Sequence, residues 1–189
     1  MRLPLSAPAE AGERPLPEPP DRPIYTPPGG PPQNNSIDRE TYATMGEANI
    51  RAMIEDFYKR LARSEIAGLF PPAGSVELEA AADRSASFFV FLLGGPPEYQ
   101  RRFGRPMMRA RHLPFRIDEH ARGVWLACFA ESLDLAEREL GMTRAQREGF
   151  EAFLVSFSAW MVNTADDERG GPPNEPPPES SSGLSPDPN

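Results

Sequence analysis

The sequence predicts an all-α fold with an unstructured segment at each end. Apolar residues recur at helical spacing in several long stretches, and no stretch sustains the period-two alternation of a half-buried strand. The prolines also avoid the middle of the chain. Of 24 prolines in 189 residues, eleven lie between Pro4 and Pro32 and seven between Pro172 and Pro188, so the helix breaker is concentrated outside the core.

Residues 1–35 mix proline with Glu, Asp, Arg and Gly, and residues 168–189 are mostly Pro, Glu, Ser and Gly. Neither end carries enough large apolar side chains to offset its ordering entropy, so both are expected to be disordered tails. That leaves one domain, residues 36–167. In it Ile50, Met53, Ile54, Phe57 and Leu61 form one stripe of a first long helix, with Arg51, Glu55, Asp56 and Lys59 on the opposite face. Leu69-Phe70-Pro71-Pro72 stops that region. A second helix is expected from Val76 to Leu93, ended by Gly94-Gly95-Pro96-Pro97. Around Gly104, Pro106 and Pro114 only short helical pieces fit. A third long helix should start after Asp118, a good N-cap, and end at Gly141. The fourth opens at Thr143-Arg144-Ala145-Gln146 with capping-box spacing and carries Phe150, Phe153, Leu154, Phe157 and Met161 on one face.

A net charge of −8 argues against a nucleic-acid surface, which needs a basic stripe. The longest apolar run, Ser87 to Leu93, is far short of the roughly 18 residues that span a bilayer, so no membrane partner is expected. Cys128 is alone and no secretion signal opens the chain, which together fit a reducing, cytoplasmic setting.

The segment that carries chemistry is Met108-Arg109-Ala110-Arg111-His112-Leu113-Pro114-Phe115-Arg116-Ile117, followed by Val124-Trp125-Leu126 on the third helix. Taken alone, a histidine is more often a core or surface residue than a ligand. Here His112 stands in a turn-bound piece among Phe- and Met-rich helices, with Arg109 and Arg111 beside it. A neutral imidazole can ligate an iron and guanidinium groups suit carboxylates, so the set suggests a haem on one axial histidine. The partner of the other imidazole nitrogen is not readable from the sequence. The second histidine, His120, should be exposed at the start of the third helix. Because the second helix contains no His, Met or Cys, it offers no sixth ligand, which suits a gas-binding site.

From about Thr41 to Thr164 the chain resembles the truncated haemoglobins, most closely group II. The matching pieces are Phe57-Tyr58, Phe70-Pro71, Gly94-Gly95-Pro96 with Tyr99, the histidine segment from Arg109 to Ile117, Trp125-Leu126-Ala127-Cys128, and Met161-Val162-Asn163. The resemblance implies a two-over-two helical sandwich that binds haem b and handles oxygen or other diatomic gases. It implies His112 as the proximal ligand and Phe70 as a ring stacked on the porphyrin. Phe89 and Phe115 would be further walls, and Tyr99, Arg109 and Arg111 would contact the propionates. On the distal side it implies Tyr58 and Trp125 as hydrogen-bond donors, with Ala81 and Ser85 facing the same space from the second helix. Where the family usually has a glycine pair before the first long helix, this chain has Gly46 alone.

Reversible oxygen binding is the function this implies. The alternative is redox turnover at the same haem, as a nitric oxide dioxygenase or a peroxidase-like enzyme. With no flavin or nicotinamide motif in the chain, that chemistry would need a separate reductase. A third possibility is a haem-free helical module whose proline pairs, such as Pro27-Pro28, recruit partners as extended polyproline segments.

Overall fold

The computed structural model describes residues 15–33 and 36–165. Those residues contain helices and irregular segments, without a strand. The helices are α1 (Thr41–Leu61), a single 3-10 turn (Ala67–Leu69), α2 (Val76–Leu92), α3 (Glu98–Phe103), α4 (Met108–His112), α5 (Glu119–Glu139) and α6 (Arg144–Met161). The pairs α1–α2 and α5–α6 make up the sandwich and meet where α1 packs on α5, while the short α4 rests on α6.

Three of the four long helices, α2, α5 and α6, begin at a capping side chain. Ser75 accepts from the Leu78 amide at 3.1 Å and Asp118 from the Ala121 amide at 2.8 Å. Thr143 and Gln146 form the reciprocal box, satisfying two amides that would otherwise lack partners. Gly46, at φ 75°, breaks α1 internally, so a single glycine makes the turn between the first residues of α1 and its long continuation. The stripe read from the sequence is the core face: Ile50, Met53, Ile54 and Leu61 are fully buried, joined by Phe129, Leu133, Phe150 and Phe153.

The proline-rich ends divide. Residues 1–14 and 166–189, on which most of the expected disorder falls, lie outside the described residues. Residues 15–33 have no helix or strand, as their composition predicts, yet they are fastened to the domain. The Tyr25 amide donates to the Asn163 carbonyl at 3.1 Å, and the Arg22 guanidinium reaches the same residue. Side-chain and backbone hydrogen bonds thus hold a segment whose apolar content alone would not.

Gly94 shows how tightly the start of α1 crosses the end of α2. Its φ is +109°, and a Cβ there would sit 1.8 Å from the Arg39 carbonyl oxygen. Gly123, on the exposed side of α5, would meet nothing within 4 Å. Gly94→Ala should therefore cost more than about 2 kcal/mol in urea unfolding. Gly123→Ala should instead add about 0.4–1 kcal/mol.

Candidate functional site

A cavity of about 510 Å³ opens between the helices, within the ~300–1,000 Å³ range of sites for small molecules and cofactors. It is lined from α1 by Phe57 and Tyr58, from α2 by Ala81, Arg84, Ser85, Phe88 and Phe89, and from α5 by Trp125. Phe70, Phe115 and Ile117 close it from the connecting segments, α3 contributes Tyr99, and α4 contributes Arg111 and His112. The walls are largely aromatic, and their rings support one another. Phe57 meets Trp125 edge-on at 5.3 Å, and Tyr58 meets Phe70 edge-on at 6.2 Å.

His112 Nδ1 lies 2.7 Å from the Met108 carbonyl, one turn back in the same helix. A carbonyl can only accept, so Nδ1 carries the proton and the lone pair is left on Nε2. Burial pushes the imidazole pKa down, opposed by the Met108 bond, and the ring stays neutral. A neutral imidazole with a fixed tautomer is the form that ligates a metal. Among the described residues no three His, Cys, Asp or Glu side chains come together to hold a bare ion. A metal on His112 would therefore have to bring its other ligands with it, as a porphyrin does.

The Tyr58 hydroxyl lies near Ser85 across the α1–α2 contact, and both line the cavity. Burial pushes the Tyr58 pKa up, more than Ser85 and the nearby Arg84 pull it down, so the phenol remains a protonated donor. Arg84 joins Arg111 and Arg122 as a cation of the cavity lining. Its Nε is buried without a hydrogen-bond partner, while its guanidinium carbon sits 5.7 Å from the centre of the Phe103 ring. A buried donor left open beside an apolar cavity suits a ligand that carries a carboxylate.

The sequence pattern of the bacterial-like globins matches residues 40–160. The chain belongs to that family. It is a truncated haemoglobin, similar to the group II members. It is 32% identical over 127 residues to Group 2 truncated hemoglobin YjbI of Bacillus subtilis, covering 67% of this chain and 91% of that relative. The group II truncated haemoglobin of Bacillus anthracis is similar in structure, at 29% identity and a TM-score of 0.59 over 67% of this chain and 98% of that one. The truncated oxygen-avid haemoglobin of Bacillus subtilis is 33% identical with a TM-score of 0.57, over 65% and 98% of the two chains.

Within this globin, His112, Phe70, Tyr99, Phe89, Phe115, Arg111, Tyr58, Trp125, Ala81 and Ser85 all line the one cavity. Arg109 is the exception among the expected site residues. Its guanidinium donates to the carbonyls of Trp160, Val162 and Tyr25 and stacks over the Trp160 ring at 4.4 Å, so it faces away from this cavity. Arginines two apart on a helix point in different directions, and only Arg111 is on the cavity side. Even Arg111 is partly engaged, donating to the Pro106 carbonyl at 3.0 Å. His120 lies outside the cavity lining, with its Nε2 3.3 Å from Glu65.

Sequence reasoning missed Arg84 and the structural part played by Asn163. The signal for Arg84 was its place three residues after Ala81, on the same face of α2. Asn163 is buried and donates from Nδ2 to the His112 carbonyl at 3.1 Å, while its Oδ1 accepts from the Ile117 amide at 3.2 Å. Nothing in its local sequence announces that contact.

Tyr58 should ionise above the usual value of about 10 in an alkaline absorbance titration, and Tyr58→Phe should lack that late step. The folded state holds this proton to higher pH than the unfolded chain does. The group therefore lowers stability only above about pH 10.

Proposed function

We propose that this globin binds haem b through His112 and takes up oxygen, or another diatomic gas, reversibly. The observation that carries the reading is one buried neutral imidazole, its Nδ1 tied to the Met108 carbonyl and its Nε2 left for iron, in an aromatic cavity of about 510 Å³. Bound haem supplies a ferrous iron with one coordination position left for a gas.

The remaining work falls to the protein. Phe70, Phe89, Tyr99 and Phe115 would enclose the flat macrocycle, and Arg84 and Arg111 would hold its carboxylates. Tyr58 brings a hydroxyl and Trp125 an indole N–H, which is a donor only. Two donors favour a bound ligand that carries partial negative charge. Ala81 is too small to block the approach from α2. The similar protein described as oxygen-avid supports slow release over bulk transport. The half-buried Cys128, the chain's single cysteine, is consistent with a reducing cytoplasm.

Hemin added to the purified protein should give a Soret band and raise its melting temperature, since a ligand that binds only the folded state stabilises it by mass action. His112→Ala should lose the band. A wild-type protein that stays colourless would overturn the reading. Hydrogen bonds to charged acceptors contribute about 1.5–3 kcal/mol each, so Tyr58→Phe and Trp125→Phe should each speed oxygen release about ten- to a hundredfold. Unchanged rates in both, measured by stopped-flow, would remove the two donors from the mechanism.

A further inference from the structure

The helix that carries His112 cannot hold itself. α4 is five residues long, has no side-chain N-cap, and starts from Met107 at φ 42°, a left-handed conformation unfavourable for any residue but glycine. An isolated helix of that length has no stability of its own in water. The direction of the imidazole must therefore be set by what grips the segment from outside.

Part of the grip comes from inside the globin domain, through the Asn163 amide on the His112 carbonyl and the Ile117 amide. The other part comes from the N-terminal segment. Arg22 donates to the carbonyls of Leu113 at 2.9 Å and Phe115 at 3.1 Å, the first and third residues after His112. The same guanidinium donates to Asn163 at both Oδ1, 2.9 Å, and the backbone carbonyl, 3.0 Å. Two further bonds fix the segment that delivers it: the Tyr25 amide to the Asn163 carbonyl, and Arg109 to the Tyr25 carbonyl at 2.8 Å. Arg22 precedes both the family match, residues 40–160, and the first helix, α1.

We propose that Arg22 is a positioning residue for His112. Its planar fork ties the turn behind the histidine to Asn163, so the N-terminal segment fixes the imidazole's direction and hence the strength of its bond to iron. The assignment rests on the reading of His112 as the iron ligand. Arg22→Ala removes the fork, and Arg22→Lys keeps the charge but not the bidentate geometry. Both variants are made in the full chain, beside Arg147→Ala as a control; Arg147 pairs with Asp134 and Glu151 and is absent from the cavity lining.

Two measurements decide it. In haem-free protein, hydrogen exchange at the Ile117 and Tyr25 amides should speed up about tenfold or more in both Arg22 variants and stay unchanged in the control. In hemin-loaded, reduced protein, the iron–histidine stretching band in resonance Raman should shift or broaden, and haem loss to an acceptor globin should speed up about tenfold. The control can lower the melting temperature but should move neither readout. Unaltered exchange overturns the clamp. Faster exchange with an unmoved iron–histidine band and unchanged haem loss overturns the positioning role. If wild-type protein takes up no hemin, the haem reading itself has failed, and the exchange result still reports separately on the clamp.

Discussion

His112 can present a lone pair to the cavity only while the Met108 carbonyl holds the proton on its other ring nitrogen, and that bond runs within a helix of a single short turn. The rest of the molecule answers to this weak point. Asp118 caps α5 just after the histidine segment and sets where Trp125 falls. The end of α6 delivers Asn163 to the His112 carbonyl, and its Thr164 amide donates to the Ile117 carbonyl at 3.1 Å. The long helices thus serve as the frame that immobilises five residues with little structure of their own.

The second constraint is the space itself. A helical domain of this size normally fills its centre at near-crystalline density. Here the C-terminal half of α2 turns Phe88 and Phe89 toward the cavity, and α1 turns Phe57 and Tyr58 toward it. At about 24 cal/mol per Å³, an unfilled apolar void of some 510 Å³ would cost on the order of 10 kcal/mol, as much as a whole domain's net stability. Opening the space to solvent relieves part of that. Tilted and edge-on ring contacts among Phe57, Phe129, Phe89 and Phe150 brace the wall from behind.

The helices were legible because their signals are local. Stripe spacing located α1, the Gly94-Gly95-Pro96-Pro97 stop ended α2, and Asp118 and Thr143 marked the starts of α5 and α6 to the residue. The cavity wall was legible through the resemblance to the truncated haemoglobins, which implied that Tyr58, Ser85 and Trp125 face one space, and all three line the cavity. Arg109 was not, because α4 is too short for spacing to define a face, and its partners are carbonyls some fifty and eighty residues away. The order of residues 15–33 was hidden for the same reason. Composition measures what a segment can bury, and this one is held by hydrogen bonds from Arg22 to carbonyls that no local pattern reveals.

The two arginines also explain each other. Arg109, in the histidine helix, reaches outward to the Tyr25 carbonyl, while Arg22, in the N-terminal segment, reaches inward to the turn behind His112. Each cation is satisfied mainly by backbone carbonyls, so the contact needs no carboxylate and is little affected by the chain's strongly negative balance. A surface ion pair would be weakened by salt and would contribute about 0–1 kcal/mol. Guanidinium forks on partly buried carbonyls are screened less and are geometrically stricter. That choice of interaction suits a contact whose task is to fix a direction, because losing one donor changes the angle of the turn before it changes the stability of the fold.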